Sequence, residues 1–258
     1  MTVEPAVPVL AEQTGGVQVI TINRPEVRNA INTAAAQGIA DALEELDDRD
    51  DLVAGVITGA GMSFCAGMDL KAFLAGERPS VEGRGFAGIA MRPPAKPLIA
   101  AVEGYAIAGG FEIVLACDLI VAAETAVFGL PEVKRGLLAG GGGLLRLPHR
   151  VPYQIAMEWI LTGELFPAAD AYRCGLINRL APAGEALPGA LDLAQRIAAN
   201  GPLAVRASKQ IVTESRDWSG ADQWQRQQEI YEPVRSSQDA REGALAFREK
   251  RAPVWRGC

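Results

Sequence analysis

The sequence predicts an α/β core followed by a helical C-terminal region, and three observations carry that prediction. Short apolar runs ending in glycine alternate with amphipathic stretches up to about residue 190. Helical periodicity dominates from there to residue 258. Strand, glycine turn and helix also recur with one layout at 56–73 and again at 99–116. Alternating strand and helix signals favour a sheet covered by helices.

In chain order, "VQVITINRP" (17–25) alternates apolar and polar residues and stops at proline, as a half-buried strand does. Residues 32–52 have helical spacing, with Ile39, Leu43 and Leu46 on one side and acids on the other. "VAGVITGAG" (53–61) reads as a buried strand leaving its sheet at the glycines. Residues 76–95 are rich in Gly, Pro and Arg and read as a mobile surface excursion, a candidate lid. A strand and glycine turn follow at 97–110, and "FEIVLACDLIVAAE" (111–124) reads as helix, then strand. The stretch 124–148 is strand-like up to Phe128 and turn-rich beyond it. Helices are predicted at 152–166, 168–176, 189–200 and 202–217, the last two separated by a Gly-Pro break. Trp224, Tyr231 and Phe247 are spaced for helices that pack on something else.

Composition narrows the function classes. The 258 residues fit one large domain, or one with a small appendage. At 49% hydrophobic and 22% charged, the chain has the balance of a soluble globular protein. A net charge of −6 disfavours nucleic acid as a partner, since phosphate backbones select basic faces. Cysteines 65, 117, 174 and 258 form no CxxC and have no neighbouring histidine, so neither a zinc site nor a disulfide framework is expected. That usage suits a reducing cytosol. The first residues lack a signal-peptide pattern, and no apolar run reaches the roughly 18 residues of a membrane span. A soluble intracellular protein without a membrane partner is expected.

The candidate chemistry sits at the glycine turns. A helix that starts at such a turn presents unpaired N–H groups, with the positive end of its dipole behind them. Two turns side by side would aim two donors at one oxygen, forming an oxyanion hole. Most strand-glycine-helix junctions only redirect the chain, so the glycines alone do not decide the matter. No nucleotide fingerprint is present, and "LAGGGGLL" (138–145) lacks the lysine and hydroxyl of a P-loop. Glu112 falls in the first turn of its helix among Phe111, Ile113, Val114 and Leu115. Its plain reading is a helix-start acid facing solvent, yet little polar surface surrounds it. Glu132 also lies among apolar residues, and its plain reading is a salt bridge to Lys134 or Arg135. Asp69 and Asp118 are expected to cap or brace the turns, Cys65 to fill space, and His149 to serve at the surface or in packing. Two acids in apolar surroundings beside an oxyanion hole would suit acid–base work on a polarised carbonyl.

The ordered motifs "ITINRPEVRNAIN", "GVITGAGMSFCAGMDLKAF", "KPLIAAVEGYAIAGGFEIVLACDLIVAAETAVFGLPEVKRGLL" and "EGALAFREKRAPVW" extend over nearly the whole chain. By these the chain resembles the enoyl-CoA hydratase/isomerase (crotonase) superfamily, inclining toward its hydratase and carnitinyl-CoA dehydratase-like members. The resemblance implies a crotonase-like spiral of repeated ββα units carrying a CoA-thioester site over 1–195, and a helical trimerisation region over 196–258. It assigns the oxyanion hole to the amides of Met68 and Gly109, and the acid–base pair to Glu112 and Glu132, 20 residues apart. It places Arg28, Ala66, Asp69, Leu70, Lys71 and Gly110 along the substrate, with Phe247 and Lys250 reaching a neighbouring subunit's CoA. Leu130 stands where mitochondrial hydratases carry glutamine, which implies a less polar acyl pocket.

The implied activity is that of a cytoplasmic hydro-lyase of lipid metabolism, adding water across the 2,3 double bond of an enoyl-CoA. Its partner is an acyl-CoA thioester, with CoA part of the substrate, no further cofactor or metal, and a homotrimer or dimer of trimers as the assembly. Carnitinyl-CoA dehydratase chemistry, a one-glutamate double-bond isomerase and a non-catalytic acyl-CoA-binding protein are the alternatives.

Overall fold

A computed structural model describes residues 7–258. The chain opens with strands β1 (Val9–Thr14) and β2 (Val17–Ile22), helix α1 (Thr33–Asp48), strand β3 (Ala54–Gly59) and the short helix α2 (Leu70–Leu74). A two-residue hairpin, β4 (Ser80–Val81) and β5 (Gly85–Phe86), precedes β6 (Leu98–Val102), β7 (Tyr105–Ile107) and helix α3 (Gly109–Ala116). Then come β8 (Leu119–Ala123), β9 (Val127–Gly129), α4 (Gly143–Arg146), α5 (Tyr153–Thr162), β10 (Phe166–Pro167), α6 (Ala168–Arg173), β11 (Arg179–Ala181) and α7 (Ala186–Ala198). Helices α8 (Pro202–Glu214), α9 (Gln223–Arg235) and α10 (Gln238–Glu249) complete the order.

The strands form a six-stranded sheet, β1-β2-β3-β6-β8-β11, and a three-stranded one, β10-β9-β7. All neighbours in the larger sheet run parallel except β1 with β2. The chain places β6 in the large sheet and β7 in the small one before α3, then repeats the move with β8 and β9. Single bridges from Cys65 to Ala106 and from Ile31 to Met68 extend the same layer over the two earlier turns. Each turn of the spiral is therefore a ββα unit, and successive glycine turns stack beside one another.

Parallel strands buried on both faces need apolar residues at nearly every position. Here α7 covers one face, with Ala190 and Ala194 against Val56, Ile99 and Val121. The main core fills the other, around Ile20, Ile57, Leu98 and Ile120. Asn32 starts α1 by accepting the Ala35 amide at 3.0 Å, a cap worth about 1 kcal/mol. Phe111 of α3 packs edge-on against Phe128 of β9 and Phe166 of β10. That aromatic layer holds the helix over the small sheet.

Several expectations need correction. Strands β1, β10 and β11 have no counterpart in the sequence reading, being short or set among exposed polar residues. The stretch 76–95 is not a surface excursion: Arg84, Ala87, Ile89 and Ala90 are buried. A side chain at Gly88 would press on α1, its Cβ 2.9 Å from the Ala40 amide nitrogen. Glycine content therefore marks close packing here. The expected limit at residue 195 falls inside α7, which lies against β3, β6 and β8. Trp224, Tyr231 and Phe247 are exposed on α9 and α10. Among the described residues no helix is long and apolar enough to cross a membrane.

Candidate active site

The two glycine turns meet, and the spiral is why. Gly67, at φ +97°, adopts a backbone conformation that side chains disfavour. A Cβ there would lie 3.1 Å from the Gly109 nitrogen and 3.0 Å from the Ala108 Cβ. Ala108 itself has φ 51° and ψ −129°, a non-glycine strain of about 1–3 kcal/mol. The Ala108 amide donates to Gly129 of β9 at 2.9 Å, and its carbonyl accepts the Phe111 and Glu112 amides. The next two residues then begin α3. Among the described residues neither the Met68 nor the Gly109 amide donates to a protein acceptor.

Both residues line a cavity of about 400 Å³, together with Glu112, Glu132, Ala66 and Leu70. Six expected site residues thus share one space. The other six lie outside the lining. Arg28 supports the first turn through its carbonyl, which accepts the Ala66 amide at 3.0 Å. Asp69 caps α2 through the Lys71 and Ala72 amides and pairs with Arg24 at 3.0 Å. Lys71 is exposed on α2. Gly110 lies against the Cys65 backbone, where a Cβ would stand 2.8 Å from the carbonyl carbon. Phe247 is exposed on α10, and Lys250 ends that helix in a left-handed conformation.

The two acids have unequal surroundings. Glu112 is buried and its Oε1 accepts the Gly143 amide at 2.9 Å. Burial raises its pKa; the Gly143 and Gly141 amides and the Arg146 guanidinium pull the other way. Glu132 is half-buried, and its Oε2 has no hydrogen-bond partner among the described residues. Burial first, and the nearby Glu112 charge as well, push its pKa up to about 7. The plain reading of Glu132, a salt bridge to Lys134 or Arg135, does not hold among the described residues: Lys134 pairs with Glu164 at 2.6 Å and Arg135 forms no ion pair. Cys65 is fully buried and its thiol is pushed up to about 12, which suits a filler. His149 is exposed. Asp118 braces the sheet, accepting the Leu98 amide at 2.8 Å and Lys209 at 2.6 Å.

The run Gly140–Gly143 is the main feature that the sequence reading did not assign to the site. Gly141 stands so close to Glu112 that an added Cβ would lie 2.6 Å from Oε2. Four consecutive glycines were a compositional signal, but only the fold shows what they wrap. Phe86 of the β4–β5 hairpin, Arg135, Leu137 and Leu138 also line the cavity. We expect Gly141→Ala to displace the Glu112 carboxylate and lower turnover by about 100-fold, with little change in thermal midpoint. Steady-state kinetics and a melting curve on the same preparation check this.

Fold and cavity together define a class: an α/β spiral with two carboxyl groups sharing one largely apolar cavity. The sequence matches the enoyl-CoA hydratase/isomerase family over residues 12–258, and the chain belongs to that family. It is 42% identical to an enoyl-CoA hydratase of Mycobacterium tuberculosis, over 98% of this chain and 97% of that protein. Identity to a carnitinyl-CoA dehydratase of Proteus mirabilis is 40%, over 94% of this chain and 96% of the relative. A crystal structure of an enoyl-CoA hydratase from Mycobacterium tuberculosis superposes with a TM-score of 0.96 at 58% identity, covering 98% and 100% of the two chains.

Proposed function

We propose that the chain is an enoyl-CoA hydratase, adding water reversibly across the 2,3 double bond of a trans-2-enoyl-CoA. The observation that carries this reading is the pair of electrostatically unequal glutamates in one cavity with Met68 and Gly109. The thioester oxygen would sit at those two amides, which stabilise the enolate formed when water adds at C3. Glu112, whose Oε1 the Gly143 amide holds and whose burial the Arg146 charge partly offsets, takes a proton from the water. Glu132, protonated near neutral pH, delivers a proton to C2. Glu112 ends protonated and Glu132 ionised, and proton exchange with solvent resets the pair. CoA arrives with the substrate, and the scheme uses no resident cofactor. Arg28 and Lys71, on the segments flanking the cavity wall, would receive CoA phosphates. Phe247 and Lys250 would act across a subunit contact in a trimer built on the helices beyond residue 196.

Turnover of crotonyl-CoA, followed by loss of the enoyl thioester's ultraviolet absorbance, tests the reading. An enzyme inactive on 2-enoyl-CoA but converting a 3-enoyl-CoA would be an isomerase instead. Neither conversion, with tight binding, would leave a binding protein.

Carnitinyl-CoA dehydratase chemistry is the second reading, supported by the Proteus mirabilis relative. The cavity wall carries Arg135, Leu137 and Leu138, which suit a neutral apolar acyl chain better than a trimethylammonium. We therefore expect crotonyl-CoA to be preferred over crotonobetainyl-CoA by about tenfold or more in kcat/KM, from like-charge repulsion at Arg135. Arg135→Gln should narrow that preference. Equal specificity constants for the two substrates would reverse this assignment.

A further inference from the structure

A second cavity, about 510 Å³, opens at the far end of α3, where Ala116 and Asp118 meet α8 and the segment 93–95. It shares no lining residue with the active-site cavity. Its wall carries five cations, Arg146, Arg150, Arg206, Lys209 and Arg216, against two acids, Asp118 and Glu214. Lys209 is engaged internally, donating to Asp118 at 2.6 Å and to the Pro94 and Lys96 carbonyls at 2.8 and 2.9 Å. Among the described residues none of the four arginines forms an ion pair.

Arg150 is anchored by one arm and Arg146 by both, its Nη1 reaching the Gly141 carbonyl at 3.5 Å. Arg150 Nη2 donates to the Cys117 carbonyl at 2.6 Å, and Arg146 Nη2 to the Ala90 carbonyl at 2.6 Å. Those bonds hold the guanidinium groups in place and leave further N–H donors on each. Burial above all, with the like charges of Arg146 and Arg216 adding to it, holds the Arg150 pKa down. The chain as a whole carries a charge of −6, so an unpaired positive cluster here runs against its own balance. Crowding arginines with too few acids to pair them costs free energy that a bound anion offsets. Guanidinium forks match phosphate oxygens two at a time. An excess of three positive charges also suits a multiply charged phosphate better than a single carboxylate. Thr213 and Gln210 add neutral donors to the same wall.

We propose that this cavity binds a small, multiply charged phosphate anion at a site separate from the thioester site. The proposal does not rest on the hydratase reading. Arg146 also lies beside the glycine loop that holds Glu112, so the test leaves it unchanged. Arg206 and Arg216 are exposed, which makes Arg206→Gln/Arg216→Gln a mild variant for folding.

The experiment is calorimetric titration of the purified full-length protein with inorganic pyrophosphate, at low and high salt. Saturable binding of one pyrophosphate per chain is expected, weakening with salt. It should weaken about tenfold or more in the double glutamine variant, and much less in Arg206→Lys/Arg216→Lys. KM for an enoyl-CoA should stay unchanged in both variants. Absence of saturable binding, or equal affinity in the glutamine variant, overturns the proposal. A parallel rise in KM does so too, because the cavity would then serve CoA. So does loss of the assembly in the variant, seen by light scattering without pyrophosphate binding to wild type, because acids of a second copy would then fill the cavity.

Discussion

Glutamine at position 132 is expected to lower hydration kcat by about 10²–10⁴-fold, the range for losing a positioned general acid. The isosteric amide keeps the shape and removes the proton. The wild-type kcat/KM for hydration should fall above about pH 7, where Glu132 ionises, and the variant should lose that limb. The same substitution has an opposite effect on stability. The folded-state pKa of about 7 lies above the 4.5 of a free glutamate, so the folded protein binds this proton more tightly than the unfolded chain. Glu132 therefore favours folding least above pH 7, and its unfavourable contribution vanishes below about pH 4.5. A gap of that size corresponds to roughly 3 kcal/mol, which solvent screening at a half-buried carboxyl reduces to about 1–2 kcal/mol. Glu132→Gln should thus raise stability by about 1–2 kcal/mol at pH 8 and change it little at pH 4. Denaturant melts at the two pH values, beside a pH–rate profile, check both halves. An active variant with an unchanged alkaline limb would remove Glu132 from the chemistry.

Alanine at position 110 should be the more damaging of the glycine substitutions. Helix propensity alone predicts a gain of about 1 kcal/mol inside α3. Packing opposes it, because the new Cβ would stand 2.8 Å from the Cys65 carbonyl carbon and closer still to its oxygen. Those are main-chain atoms of the neighbouring turn and cannot rotate away. The two turns must part, which costs about 1–3 kcal/mol as overpacking. If the Met68 and Gly109 amides share one oxygen as proposed, separation would also part them, at about 100- to 1,000-fold in kcat. A gain in stability with unchanged kcat would show that the turns do not act together. Melting curves and steady-state kinetics on the purified variant read both effects.

Much of this architecture was legible in the chain because its signals are local. Apolar alternation at 17–22, helical spacing at 33–48 and the glycine turns before α2 and α3 depend on neighbours a few residues away. The residues alone offered only two glycine turns and two acids in apolar surroundings; the choice of Met68 and Gly109 as amide donors, and of Glu112 and Glu132 as the acid–base pair, came from the resemblance of the ordered motifs to the family.

The rest depended on groups distant in sequence. Glu112 is held by the amide of Gly143, 31 residues on, and no periodicity announces such a partner. Glu132 could have paired with Lys134, but Glu164, 30 residues from that lysine, takes it. That choice leaves Glu132 Oε2 without a partner among the described residues, and burial pushes the carboxyl's pKa up to about 7. The 76–95 segment looked mobile because glycine and proline break secondary structure, whereas packing against α1 makes it a wall. Local chemistry determined which groups were available; only the winding of the spiral decided which were desolvated together, and desolvation is what sets their protons.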